Sequence, residues 1–111
     1  MEEIVNYSDW QKIKLVVGEI KEVDEIEGAD KLYKLLVDIG DEKRVICAGI
    51  KQYYKKEELI GKKIILFKNL APRKMRGIES QGMLLAAVDE KNNKVILISP
   101  EKDIANGTPI M

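Results

Sequence analysis

The chain lacks histidine entirely and contains a single cysteine, Cys47, among its 111 residues. Histidine is the only side chain whose ordinary pKa lies near neutral pH, so its absence excludes acid–base catalysis by imidazole. One cysteine cannot form an internal disulfide, and without histidine it cannot complete a usual zinc site. Cys47 lies in the apolar run Val45–Ala48, where we expect a buried, unreactive thiol.

Long hydrophobic runs and glycine-rich phosphate motifs are missing as well. No apolar run approaches the roughly 20 residues that cross a bilayer. The acidic start, with Glu2 and Glu3, does not resemble a signal peptide. Carboxylate pairs such as Glu57–Glu58 have lysine neighbours, and we expect them to be solvated. We therefore expect a cytoplasmic, non-catalytic chain with no membrane association, no cofactor and no metal.

Short strands account for most of the apolar pattern. Apolar residues alternate with polar ones, or form short runs between turn residues. The pattern predicts strands over Ile13–Ile26, Leu32–Ile39, Arg44–Ala48, Lys63–Phe67, Met83–Val88 and Val95–Ser99. The second and third of these should form a hairpin, and the fifth is apolar enough to be buried on both faces. Gly18 within the first strand permits a bulge or a close backbone approach.

Helical signals are few. Ser8 and Gln11 have capping-box spacing, which predicts a short helical turn there, and a second turn or short helix is expected over Tyr53–Leu59. Five or more short strands with one or two helical turns favour an all-β fold, a five-stranded barrel of the OB type. We expect one domain over residues 1–111, with the barrel at about 8–88 and a C-terminal extension at 89–111.

Charge is unevenly distributed in this neutral chain. Residues 1–30 carry a net charge of −6, residues 31–77 carry +8, and residues 78–111 carry −2. This asymmetry suggests one basic face. The alternative is a solvated surface rich in lysine and glutamate, as in heat-stable proteins.

The segment from Lys68 to Met83 is the most informative part of the chain. It carries four cations, Lys68, Arg73, Lys74 and Arg76, with no acid before Glu79. Proline and glycine interrupt the segment, which predicts an exposed loop. An exposed loop so rich in lysine and arginine is a surface that phosphates can approach.

On an OB barrel, nucleic acid binds to one strand face and the flanking loops. The cations would contact phosphates. Asn69 and Ser80 would contact base edges or ribose hydroxyls, and Met83 would contact an unstacked base. The alternative roles are turn stabilisation for Asn69 and Ser80 and core packing for Met83. The candidate binding residues are Lys31, Lys34, Arg44, Lys68, Asn69, Arg73, Lys74, Arg76, Ser80 and Met83.

Segments spread over residues ~8–111 resemble the EMAP-type tRNA-binding domain in order and spacing. They are Val17–Ile20, Ala29–Tyr33, Val37–Gly40, Ala48–Ile50 with Tyr53–Tyr54, Glu57–Lys62 and, above all, Asn69–Met83. The resemblance implies an OB fold, structure-specific tRNA binding outside the anticodon without catalysis, and homodimerisation through the C-terminal extension. The sequence departs from the family at three places. Val17 stands where many members have Arg, Glu27–Gly28 replaces a common His-Pro-Asn turn, and Ala48 replaces a common Ser. These departures lie outside the segment from Lys68 to Met83.

Three roles fit this resemblance. The first is a free, dimeric tRNA-binding protein, and the second is a C-terminal domain or beta subunit of methionyl-tRNA synthetase acting in trans. The third is a chaperone-like dimeric export protein that binds peptides in an apolar groove. The clustered cations favour tRNA over peptide. The apolar run Val95–Ile98 would be an aggregation-prone edge if left uncovered, which favours a homodimer built after Val88.

Overall fold

The computed structural model describes residues 2–111 and is nearly all β. Two single-turn helices are present in this range, α1 (Tyr7–Trp10) and α2 (Lys56–Leu59). The strands are β1 (Leu15–Glu25), β2 (Tyr33–Asp38), β3 (Lys43–Ala48), β4 (Lys63–Phe67), β5 (Arg73–Met75), β6 (Ile78–Ser80), β7 (Met83–Leu84), β8 (Ala86–Asp89), β9 (Lys94–Leu97) and β10 (Pro109–Ile110). Neither helix is long and apolar enough to cross a membrane within the described residues.

The main sheet is antiparallel, with the order β3-β2-β1-β4-β7. The long strand β1 pairs with β4 through residues 15–19 and with β2 through residues 19–25, and a register shift lies between Ile20 and Glu22. Such a shift bends a strand and increases its twist, so the sheet curls. The Gln81 amide donates to the Val45 carbonyl across the gap between the sheet's two ends, at 2.9 Å. The predicted all-β fold is confirmed, as a curled half-barrel consistent with an OB-like barrel.

The core lies inside this curl. Inward positions of β2 are fully buried at Leu35 and Val37, and their neighbours on the strand are not, as the period-two pattern predicts. Leu59 of α2 joins the same cluster. Gly18 allows close packing: a Cβ there would lie 2.7 Å from the Val37 Cγ1 atom. The close approach expected at Gly18 is therefore present, and the bulge lies further along β1.

The predicted strand over Met83–Val88 is wrong in two respects. The chain forms β7 and then, after Leu85, leaves the main sheet as β8, which pairs with β9. It is also not buried on both faces: the Val88 side chain is 60% exposed. A continuous apolar run does not reveal where a chain changes sheets, because the change depends on which strand is available for pairing.

Two further details concern helix α1 and the C-terminal extension. Helix α1 begins after Asn6, which has no side-chain capping bond, so the capping box of Ser8 with Gln11 does not form. After the β8–β9 hairpin the chain returns to the main sheet, where β10 pairs with the first residues of β1. The expected extension at residues 89–111 thus contributes a strand to the main sheet, and β8 runs across residue 88.

Candidate nucleic-acid interface

The basic segment is a two-stranded hairpin where the sequence predicted a loop. Strands β5 and β6 pair from Arg73 opposite Ser80 to Met75 opposite Ile78, and we call residues 73–80 the basic hairpin. Its turn places Arg76 and Gly77 at φ values of 51° and 80°. Two successive positive φ values are the requirement of the tight turn whose twist matches a two-residue hairpin. The cations are therefore held on paired strands.

One side of the basic hairpin packs on the protein. Met75 and Ile78 lie against a small buried cluster that includes Ile26, Ala29 and Cys47. Burial raises the pKa of the Cys47 thiol, although the positive charge of Lys34 acts in the opposite direction. The expected buried thiol is confirmed, and it supports the hairpin from below.

The cationic side chains of the hairpin are nevertheless open to solvent. Arg73, Lys74 and Arg76 are all exposed. Within residues 2–111, none of the three takes part in an ion pair. Glu79 is the register partner of Lys74, but no carboxylate oxygen of residues 2–111 lies within 4.0 Å of that ammonium. These three cations are available to an external anion.

The basic hairpin faces the loop that joins β1 to β2, which we call the 26–32 loop. A cleft of about 360 Å³ between them is lined by residues 28–32 and by Arg76. Gly28 adopts φ 76°, and a Cβ on it would lie 3.8 Å from the Arg76 Nη1 atom. Lys31 is exposed at this cleft. The structure thus brings together Lys31 and Arg76, which the sequence proposed separately.

Lys34 lies on the outer face of the sheet. It is half-buried and stands between Asp24 of β1 and Cys47 of β3 in the strand register. Because register partners share a face, Lys34 is on the side of the sheet that carries the basic hairpin. It can add to the positive potential there.

Arg44 was a candidate phosphate contact, but its side chain is occupied within the protein. Its Nε and Nη2 atoms lie 2.9 and 2.7 Å from Glu42 Oε1. Its Nη1 atom donates to the carbonyl oxygens of Lys68, at 2.6 Å, and Gln81, at 3.2 Å. The side chain is 21% exposed. These contacts favour a structural role.

The polar side-chain atoms of Asn69 and Ser80 also form hydrogen bonds within the protein. The Asn69 amide accepts from the Lys14 N–H at 2.7 Å and donates to the Lys12 carbonyl at 2.6 Å. The Ser80 residue is 2% exposed, and its hydroxyl accepts from the Cys47 N–H at 3.0 Å and donates to the Gly82 carbonyl at 3.3 Å. Of the two roles considered for each residue, these contacts favour backbone stabilisation.

Lys68 and Met83 lie apart from the cleft. Lys68 is half-buried and lines a different cavity of about 400 Å³, the apolar groove, between α1 and β10. Met83 pairs with Phe67 at the edge of the main sheet and is 43% exposed. Its exposure leaves room for contact with a base, whereas a core role does not fit.

Two acids elsewhere on the surface, Glu25 and Glu19, are held by basic or polar side chains. Glu25 contacts the ammonium groups of Lys51 and Lys56, at 2.9 and 3.6 Å. The hydrogen bond from Lys51 is the main reason that the pKa of Glu25 is lowered. Glu19 accepts a hydrogen bond from Asn106, which, with Lys21, lowers its pKa. No group of three potential metal-ligating side chains occurs among the described residues.

A family model described as "Putative tRNA binding domain" matches residues 15–109. The chain belongs to this tRNA-binding domain family. Methionine–tRNA ligase of Methanococcus aeolicus is 55% identical over 108 residues, which is 97% of this chain. That of Caldanaerobacter subterraneus is 51% identical over 98% of this chain. The chain spans only 16% and 17% of these two relatives.

Solved structures of similar size share the whole architecture of this tRNA-binding domain. A MetRS-related protein from Pyrococcus horikoshii has a TM-score of 0.92 at 39% identity, covering 99% of this chain and 100% of its own. The chaperone CsaA from Picrophilus torridus has a TM-score of 0.87 at 35% identity, covering 97% of this chain and 100% of its own. The resemblance stated from the sequence is thus confirmed at the level of family and fold.

Proposed function

We propose that this chain binds tRNA without catalysing a reaction, and that the basic hairpin and the 26–32 loop form the contact surface. The observation that carries the proposal is the presence of three exposed, unpaired cations on a hairpin whose underside is packed. Because the backbone that carries these cations is held before binding, less of the chain has to be ordered when they meet phosphates. Membership in the tRNA-binding domain family supports RNA as the partner.

The shape of the site favours folded RNA over an extended duplex. The cleft beside Arg76 is also lined by Gly28, Asp30 and Leu32, so backbone, one carboxylate and apolar surface lie between the cations. An unstacked nucleotide matches this arrangement, with its phosphate at Lys31 or Arg76 and its base in the cleft. Loops and bulges of a folded RNA supply such nucleotides, whereas a regular duplex does not.

We further propose that the working form is a homodimer in the cytoplasm, where tRNA is charged. Val88, Ile96 and Ile98 of the C-terminal hairpin region are 60%, 56% and 42% exposed. A two-fold interface would cover this apolar surface and join two basic faces. The relatives named methionine–tRNA ligase suggest the alternative of an accessory that delivers tRNA to a separate synthetase chain.

A second candidate function is peptide binding, as in a chaperone. The observation in its favour is the apolar groove, lined by Tyr7, Trp10, Ile13, Ile110 and Met111 among others. The likeness to proteins titled CsaA chaperone points the same way. The two functions use different surfaces, so the same preparation can be tested for both.

The decisive experiment is a set of parallel titrations of the full chain. Fluorescent total tRNA, duplex DNA of similar charge and an unfolded peptide are each titrated at about 0.1 M salt. The proposal expects the tightest binding for tRNA. Tighter binding of the peptide would contradict the proposal and support peptide binding in the apolar groove. Equal affinity for tRNA and duplex DNA would show that the surface binds polyanions without specificity.

A further inference from the structure

One side chain holds both ends of the segment that carries the basic hairpin. The Arg44 Nη1 atom donates to the carbonyl of Lys68, at the start of the segment, and to that of Gln81, at its end. Arg44 lies on β3, the edge strand of the main sheet opposite β7. Its guanidinium therefore ties the entry and the exit of the segment to the sheet and to each other.

This arrangement requires arginine. A guanidinium has five N–H donors in a rigid plane. In Arg44, Nε and Nη2 face the Glu42 carboxylate, and Nη1 reaches the two carbonyls. A lysine ammonium has three donors at one point and cannot span these positions. The ion pair with Glu42 also neutralises the charge that a phosphate would need.

Contacts of the hairpin's second strand with β3 strengthen the attachment. The Ser80 hydroxyl accepts from the Cys47 amide, and the Gln81 side-chain oxygen accepts from the Val45 amide at 3.3 Å. The Gln81 amide donates to the Val45 carbonyl. The return strand is thereby fixed next to β3, while Arg73, Lys74 and Arg76 project into solvent.

We propose that Arg44 is a positioning residue for RNA binding: it touches no RNA and acts by holding the cations of the basic hairpin in one arrangement. The proposal rests on the proposed function. Without Arg44 the cations remain, but they sample many arrangements, and ordering them on binding reduces affinity. The number of phosphate contacts in the complex stays the same, so the salt dependence of binding is retained.

The test compares Arg44→Lys with Lys43→Gln, a matched control at the neighbouring exposed lysine of β3. Affinity for total tRNA is measured as a function of salt, and cleavage by trypsin at Arg73, Lys74 and Arg76 is followed without RNA. Arg44→Lys should bind about tenfold more weakly with a slope within about half a unit of wild type, and trypsin should cut its hairpin faster. Lys43→Gln should leave the cleavage rate unchanged.

Wild-type affinity and wild-type trypsin resistance in Arg44→Lys would overturn the proposal, since a lysine can replace a simple phosphate contact. A slope reduced by about one unit in Arg44→Gln would also overturn it, because that marks a lost phosphate contact. If Arg44→Lys does not fold, the uncharged Ser80→Ala loosens the same attachment and should speed cleavage at an unchanged slope. If wild type itself fails to bind tRNA, the proposed function fails and the RNA role of Arg44 with it, while the cleavage rates still decide whether Arg44 holds the hairpin.

Discussion

Replacing Lys74 and Arg76 by alanine should weaken tRNA binding strongly at low salt and much less at high salt. Both side chains are exposed and, among the described residues, form no ion pair, so their removal breaks no internal salt bridge. The hairpin's packing through Met75 and Ile78 is left intact. The double variant is therefore expected to fold as wild type does and to differ in its charge.

The magnitude follows from counterion release. Each neutralised phosphate contributes about 0.9 to the slope of log affinity against log salt, by analogy with duplex DNA. We take the contribution of the two contacts to affinity as zero at 1 M salt. They then strengthen binding about 60-fold at 0.1 M salt and about ninefold at 0.3 M. The loss at 0.1 M corresponds to about 2.5 kcal/mol of binding free energy.

The assay is a filter-binding or fluorescence titration with total tRNA at several salt concentrations. Lys91→Ala with Lys102→Ala is the matched control, because it removes two exposed lysines outside the proposed surface. The control should retain both affinity and slope. An equal fold loss at every salt concentration, or the same loss in the control, would refute the assignment of the hairpin cations to phosphate contacts.

Three further predictions concern packing, pH and assembly. Gly18→Ala should lower the free energy of unfolding in urea by about 1–3 kcal/mol, because its Cβ would crowd the stiff Val37 side chain. Gly49→Ala should be near neutral, because nothing lies within 4 Å of a Cβ there. Equal losses in the two variants would contradict this packing. The pKa of Glu19 is lowered in the folded protein, so its ionised form stabilises the fold at pH values above the ordinary glutamate pKa. This stabilisation is lost as the pH falls through the pKa of Glu19 in the folded protein. Removing the Asn106 hydrogen bond by Asn106→Ala should therefore raise the Glu19 pKa in an NMR titration, and an unchanged pKa would exclude Asn106 as its main cause. Sedimentation should give a mass of about 25 kDa, twice that of the 12.6 kDa chain, and Ile96→Glu should shift this mass towards that of the monomer. A monomeric wild-type protein would contradict the proposed homodimer.

The sequence by itself determined the class of fold and the region of interest. Short apolar segments between turn residues located β2, β3 and β4 within one or two residues, and β2 shows the alternation between core and solvent of a half-buried strand. The cation-rich composition of the segment around Arg73 and Arg76 predicted an exposed surface that phosphates can approach, because charges of this density are not buried. Local pattern suffices for both conclusions.

Only the tertiary structure decided which candidate residues are free to act. Arg44, Asn69 and Ser80 are of the right chemical type for RNA contacts, but each finds its partners in distant parts of the chain. Conversely, Lys31 and Arg76, far apart in sequence, meet at one cleft. A polar side chain can hydrogen-bond to RNA or to its own protein with the same atoms. The outcome depends on which backbone groups the fold leaves without another partner, and that is a property of the whole curled sheet.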